Sequence, residues 1–534
     1  MLHLEGQRSK VISETSQRSK VKGQKQGKTL LLRHQTLDLK KNYRIAKFPY
    51  FIFRFSIRDL KDCKGFSFTA LFLLLCFLSF THLSAQKPWD NGQLRVSRNH
   101  RYLEFENGTP FFWLGNTAWL LPHRCKREEV DYFLQQEKLA GFNVEQIQVI
   151  NAIPTTNDYG SCANDSSFRM DSFSHQGENG FWEHLDYIVE RAESLGIYIA
   201  MDCIWGSQVK HLSPEKATLY GRFLAQRYQH HPNIIWMIGG DIQGDRGTES
   251  WNALALAIKQ IDKNHLMTFH PRGRTTSADW WADSQWLDFH LFQSGHRRYG
   301  QRNGDANYPI EENTEEDNWR YVYRCWNQHP LKPVIDGEPS YEDIPQGLHD
   351  TTQPRWKDYD VRRYAYWSVF AGSCGHTYGH NSIMQFMDQG REPAYGATAT
   401  WKEALHAPGR NQLKHLKHLM LSFPFDDRVP DSTIIIGEKG ERYNRLIATR
   451  GKNYLLVYNY TGRAMNIDLS KIQGKRKQLW LMNPVDGSRQ YLGTTKSKTI
   501  HIPAISNNNA SPTQNTDRVF IAVNYSNKKL RMRK

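Results

Sequence analysis

Two short strings carry residues suited to chemistry. Ile234-Ile235-Trp236-Met237-Ile238 runs into Gly239-Gly240-Asp241, and Val334-Ile335-Asp336 runs into Gly337-Glu338-Pro339. Each sets an acid directly after glycine at the end of an apolar run, and Pro339 stops the second run from continuing as a strand. Two carboxyl groups facing one substrate can divide the labour of bond cleavage. One protonates the leaving oxygen while the other attacks the carbon it leaves, with retention at a separation of roughly 5–5.5 Å and inversion when wider. A single acid at such a position serves equally well as a cap or an ion-paired loop residue, whereas two at corresponding positions argue for chemistry. Asp336 alternates with Glu338 but reads as a buried, hydrogen-bonded carboxylate, and Asp202 and Asp288 read as residues that orient neighbours.

Other candidates fall close to the ends of apolar runs. Trp119, Trp205, His270, Gln293, His296, Tyr378 and His380 offer flat faces, donors and acceptors of the kind that hold a sugar, although each type is equally common as packing. Trp236, in mid-run, reads as core. His376 and His380 are four apart, but they follow a strand-like run and enclose Gly379, so they do not form a helical metal pair, and neither metal nor cofactor is expected. Beyond the leader, Cys125, Cys162, Cys203, Cys325 and Cys374 show no Cys-x-x-Cys spacing. No Gly-x-Ser-x-Gly elbow occurs and Cys203 has no matched histidine signature, which removes esterase and thiol chemistry.

The elements that must position these residues alternate regularly. Apolar runs at Phe111–Leu114, Val144–Ile150, Ile197–Cys203, Ile234–Ile238, Leu266–His270, Leu287–Gln293, Val334–Glu338 and Gly375–Tyr378 read as strands. Helical patterns lie between most of them: Lys126–Ala140, Phe181–Leu195, Pro214–Tyr228, Glu249–Ile261, Asp317–Asn327, Tyr359–Phe370 and Trp401–Leu421. Eight alternations over roughly 300 residues predict an α/β chain folded as a (β/α)₈ TIM barrel, whose chemistry gathers at the C-terminal ends of its strands. No Gly-x-Gly-x-x-Gly supports a doubly wound sheet. After Pro424 the texture changes to short alternating runs such as Tyr454–Tyr458 and Val519–Val523, separated by turn signals, which predicts a small all-β sandwich over residues 430–525. Ser506–Asp517 reads as a polar loop within it.

The formal charge of +16 is a property of the leader. Sixteen of the 70 Lys and Arg but only five of the 54 Asp and Glu fall in residues 1–65, which leaves residues 86–534 at +5. A phosphate-tracking surface needs its basic residues on the folded body, so a nucleic-acid partner is excluded. Phe66–Phe80 is an uncharged apolar run preceded by Arg54, Arg58, Lys61 and Lys64 and followed by Leu83-Ser84-Ala85. That pattern predicts residues 1–85 to be a basic leader plus signal peptide, cut near Ala85, and the mature protein to be exported.

The strings NGTPFFWLGNTAWLL (107–121), PNIIWMIGGD (232–241), WLDFHLFQSGH (286–296), KPVIDGEPSYED (332–343) and GSCGHTYGHNSI (372–383) resemble the apiosidase-like glycoside hydrolases of family 140. The resemblance runs over residues 93–424, and the following segment resembles the collagen-binding-like β-sandwich usually appended to that family. It implies hydrolysis of apiose linkages in the pectin rhamnogalacturonan II, with Asp241 as acid/base and Glu338 as nucleophile. The expected partner is a polysaccharide or oligosaccharide. Where the family often has Gly-Asp-Thr-Ala-Trp, this chain has Gly115-Asn116-Thr117-Ala118-Trp119, which makes Asn116 a candidate sugar contact and a source of altered substrate preference. The alternative reading is a non-catalytic glycan-binding barrel, or a matrix-adhesion protein working through its C-terminal module.

Overall fold

The computed structural model describes residues 86–169, 173, 176–301, 316–505 and 516–527. The basic leader, the apolar run Phe66–Phe80, the expected cut near Ala85 and most of the loop Ser506–Asp517 lie outside these residues. Eight strands form the barrel: β1 Trp113–Thr117, β2 Val144–Ile150, β3 Tyr198–Ile204, β4 Ile234–Ile242, β5 Met267–Pro271, β6 His290–Gln293, β7 Val334–Asp336 and β8 Gly375–Tyr378. Neighbours pair in parallel from β6 through β7, β8 and β1 round to β5. At the remaining seam Asp288 N donates to Met267 O (2.9 Å) and Thr268 Oγ1 to Phe289 O (2.8 Å). Thr275–Thr276 adds a short antiparallel strand along β6.

Alternation along each strand sorts its side chains between the barrel axis and the helix layer. Ile147 and Val149 of β2 pack outward with Phe133 and Leu185 of the surrounding helices, while Trp113, Tyr198, Ile235 and Leu291 fill the axis. Helix Phe181–Leu195 ends because Gly196 enters the left-handed region (φ 78°), which turns the chain back into β3. The expected continuous helix Trp401–Leu421 is instead three pieces, Trp401–Ala404, Pro408–Gln412 and Lys414–Leu421. Pro408 has no N–H to give to the preceding turn, so it can only begin a new one. The first barrel strand also lies later than expected. Pro110–Phe111 belongs to a three-stranded antiparallel sheet with Leu94–Val96 and Leu103–Phe105, and the Phe111 ring meets Tyr198 at the start of β3 (5.3 Å), so this sheet plugs the N-terminal end of the barrel.

The C-terminal domain has a six-stranded antiparallel sheet in the order 429–430, 446–450, 454–459, 518–524, 477–482, 489–495, with a three-stranded sheet of 435–436, 465–468 and 499–502. Period-2 alternation gives strand Tyr454–Asn459 two buried faces. Leu455 and Val457 join Ile467 and Phe520 inside the domain, while Tyr454, Leu456 and Tyr458 pack on the barrel. Tyr458 stacks on Tyr366 of helix Asp358–Phe370 at 4.7 Å and 17°.

A buried ion pair crosses the same junction. Arg362 Nε and Nη2 donate to the two carboxylate oxygens of Asp517 at 2.8 and 3.0 Å, and both side chains are essentially inaccessible. Removing one member strands the other charge in a dry interface. Arg362→Ala is therefore expected to cost roughly 3–5 kcal/mol, read from urea melts. A loss below about 1 kcal/mol, the worth of an exposed pair, would show that water reaches the junction.

Candidate active site

The acid on β4 is delivered by a distortion of the strand. Pairing with β5 slips between Gly239 and Ile242, and Gly239, Gly240 and Asp241 take φ of 104°, 102° and 49°. The glycines are required by space as well as by angle. A Cβ at Gly239 would lie 2.6 Å from His270 O, and one at Gly240 2.6 Å from the Trp205 ring. Such a bulge re-aims the side chain that follows it. Asp241 is a non-glycine residue held in the left-handed region, the kind of local strain that gathers at functional sites. The expected end of the strand at Ile238 is thus overrun: pairing resumes at Ile242 because the bulge absorbs the glycines.

Glu338 reaches the same cleft from just beyond β7. It is 6% exposed, whereas Asp241 lies open to the cleft. His296 Nε2 donates to Glu338 Oε1 (3.1 Å), and His270 Nε2 stands 3.1 Å from Oε2. Asp241 N donates to His270 Nδ1 (3.1 Å). A backbone amide can only donate, so Nδ1 presents its lone pair and the His270 ring proton is on Nε2, the nitrogen beside Glu338. One imidazole thus bonds the backbone of one acid and stands against the carboxylate of the other.

The two carboxyls are driven in opposite directions. Crowding by the cleft walls, which strips water from the carboxyl, then repulsion from Glu338, pushes Asp241 up to about 6, against a weaker pull from the Gly273 amide. Burial works against the charge of Glu338, but the N–H groups of His270 and His296 outweigh it and hold that carboxyl well below its ordinary range. Below about pH 6 this favours one protonated and one ionised carboxyl, the division that acid-plus-nucleophile chemistry needs.

The cleft encloses about 450 Å³ and is lined by Trp119, Trp205, Asp241, Gln293, His296 and Glu338 among others. His270 lies beneath it, fully buried, with its ring 5.3 Å from Trp119 and 5.9 Å from Trp205. Three expected sugar contacts are elsewhere. Asn116 and Tyr378 are register partners in β1 and β8 and face the helix layer together. Tyr378 donates to Glu342 Oε2 (2.7 Å), and the Asn116 amide lies beside Glu137 of helix Arg127–Ala140. His380 accepts from Ser382 N at the start of a helical turn and lines a separate pocket with Asp358 and His406. The Asn116 departure therefore lies away from the residues that line the cleft. It sits near the buried acids Glu137 and Glu145, where an Asp would add a third carboxyl.

The remaining acids have structural partners. Asp336 accepts from Ser294 Oγ (3.0 Å) and Asn318 Nδ2 (2.9 Å), and Asp288 accepts from Met267 N (2.7 Å) and pairs with Lys259. Asp202, fully buried, lies under the bulge, where burial and the charge of Glu338 push its carboxyl well above the ordinary range. Trp236 is core, as expected, and bonds Asp262 (2.7 Å). Among the described residues no group of three or more His, Cys, Asp or Glu could hold a metal ion.

Several functional positions escaped the sequence reading. Gln146 donates across the barrel axis to Gly337 O (2.9 Å), fixing the residue before Glu338, and Gln148 lines the cleft two residues on. Polar residues at period 2 inside the apolar run Val144–Ile150 were the available signal. Tyr341, whose hydroxyl accepts from Trp119 Nε1 (3.2 Å), and Tyr395 had none.

Gly240→Ala tests the bulge. The new Cβ must displace Trp205 or the strand end, and a 1 Å misplacement of a catalytic group can cost about 10²-fold. A drop in kcat of that order is expected in a protein that still folds. Unchanged kcat would show that the glycine is not what aims Asp241.

The profile of a family described as "Apiosidase-like, catalytic domain" matches residues 97–427, and one described as "Putative collagen-binding domain of a collagenase" matches residues 429–522. No match is found among curated proteins. A solved structure titled a glycoside hydrolase is 56% identical with a TM-score of 0.80, covering 83% of this chain and 99% of its own. A second, titled a glycoside hydrolase family 5 from Bacteroides vulgatus ATCC 8482, is 55% identical with a TM-score of 0.81, covering 84% of this chain and 96% of its own. A barrel with paired carboxyls in its C-terminal cleft, matched along its whole length by such relatives, belongs to the apiosidase-like family, and the chain is a glycoside hydrolase.

Proposed function

We propose that this glycosidase cleaves an apiose linkage in the pectin rhamnogalacturonan II, with retention of configuration, outside the cytoplasm. The observation that carries the mechanism is the pairing of Asp241 and Glu338 in one cleft with His270 between them, where their surroundings drive the two carboxyls in opposite directions. Asp241 gives its proton to the glycosidic oxygen as Glu338 attacks the anomeric carbon. The C–O bond breaks, the leaving alcohol departs neutral, and a glycosyl-enzyme remains. Asp241, now a carboxylate, takes a proton from water, the hydroxide attacks the same carbon, and Glu338 is released.

Family membership supports apiose as the sugar. The wall of the cleft supports an acidic glycan, since Arg124, Arg272, Arg274 and Arg297 all line it, and guanidinium forks match carboxylates. The apolar run Phe66–Phe80 and Ala85 support export, and N-terminal sequencing of the exported protein should begin near Gln86.

The test is to incubate residues 86–534 with defined pectic oligosaccharides and follow the first-formed anomer by proton NMR. Retained configuration in a product released from apiose supports the reading. An inverted first product moves Glu338 to the role of base. Binding without turnover would favour the non-catalytic alternative.

A further inference from the structure

The segment after β8 folds back to the cleft through a strained turn. Tyr395 has φ 51° and ψ 33°, a left-handed conformation that bulky side chains avoid. Three side chains hold it there, Asn381 and Gln385 from one helical turn and Arg355 from a separate segment. The Gln385 amide clamps Ala394 as a backbone partner would, Nε2 donating to Ala394 O (3.0 Å) and Oε1 accepting from Ala394 N (2.8 Å). Asn381 Nδ2 donates to Tyr395 O (3.0 Å), and Arg355 Nη2 to Gly396 O. Gly396 is itself at φ 59°, with Thr351 packed where its Cβ would be.

This anchoring serves one visible end. The half-buried Tyr395 ring lines the cleft that holds Asp241 and Glu338, beside the His349 ring at 5.7 Å. A residue that only filled core would need neither the strain nor the opening to the cleft. An aromatic face suits the C–H side of a sugar, and a phenol hydroxyl can bond its oxygens.

We propose that Tyr395 is a specificity-determining contact for the glycan at the scissile bond, presented by a turn that Gln385, Asn381 and Arg355 lock in place. The proposal rests on Asp241 and Glu338 being the reacting pair.

Glycine tolerates the left-handed turn, so Tyr395→Gly removes the ring while leaving the backbone relaxed. Kinetics and Tm are to be measured for this variant and Tyr395→Phe on a panel of pectic and non-pectic cell-wall oligosaccharides, using whichever member the unaltered enzyme cleaves. Tyr395→Gly should lose at least about tenfold in kcat/KM, chiefly through KM, with Tm unchanged or raised. Tyr395→Phe should stay within about threefold, because it keeps the face and loses one hydroxyl. Loss of kcat/KM in step with a fall in Tm would make Tyr395 a structural residue and overturn the proposal. So would a Tyr395→Gly enzyme within about threefold of the unaltered one. If only a non-pectic glycan is cleaved, the pectin reading fails while Tyr395 is still judged on that glycan.

Discussion

Glu338→Ala is expected to lower kcat on the natural glycan by at least about 10³-fold, because no other group in the cleft takes its place as nucleophile. His270 and His296 would be left facing an empty acceptor site, and a buried unsatisfied donor costs about 1–3 kcal/mol. Glu338→Gln is the necessary companion, since it keeps an acceptor oxygen for His296 while losing the charge and the nucleophilicity. Both variants should lose turnover, with the Gln variant nearer normal stability. Azide, small enough to enter the space vacated in Glu338→Ala, should restore cleavage of an activated aryl glycoside and give a glycosyl azide of inverted configuration. Near-normal turnover in Glu338→Gln would sink the assignment. Azide rescue with retained configuration would place the nucleophile elsewhere.

The second large effect belongs to Asp241. Asp241→Ala should lose at least about 10²-fold on the natural glycan, whose alkoxide leaving group needs a proton. It should lose much less in the first step on an aryl glycoside whose phenolate leaves unaided. The pH dependence follows from the direction of the two shifts. Asp241 works in cleavage as the protonated acid and is pushed up to about 6, so kcat/KM should fall as pH rises through that value. Glu338 works ionised and is held well below the ordinary range, so the acid limb should lie far lower. The profile is therefore a bell with its top on the acid side of neutral. Asp241→Asn should erase the basic limb along with most of the activity. Glu338→Gln, by removing a negative charge, should let Asp241 titrate lower without returning to its ordinary value, because crowding in the cleft remains. NMR titration of the Asp241 carboxyl in that variant reads this directly; an unchanged value would mean that the two groups are uncoupled.

Glycine before an acid at the end of an apolar run was enough to single out Asp241 and Glu338, because only there does the barrel architecture free a side chain from the packed wall. What lies around them was less legible. Gln146 reaches across the barrel to Gly337, a partner 191 residues away. His270 lies beneath the cleft and is bonded by the Asp241 amide, 29 residues distant. Residue type alone gives no sign of either bond.

The amino-acid sequence by itself determined the periodicity, and with it the strand–helix alternation, the all-β tail and the two acids that follow glycine. These depend on local spacing, since hydrophobic faces and chain-turning residues act within a few positions. Only the tertiary structure decided which way the strand-end residues face and which distant segments meet. Asn116 and Tyr378 lie close in sequence to the cleft yet face the helices, because adjacent residues of a strand point to opposite sides and their shared register turns them outward together. Tyr395, 17 residues beyond β8, reaches the cleft because Asn381 and Gln385 of one helical turn and the distant Arg355 converge on its turn, a meeting set by side-chain hydrogen bonds between separate segments of the chain.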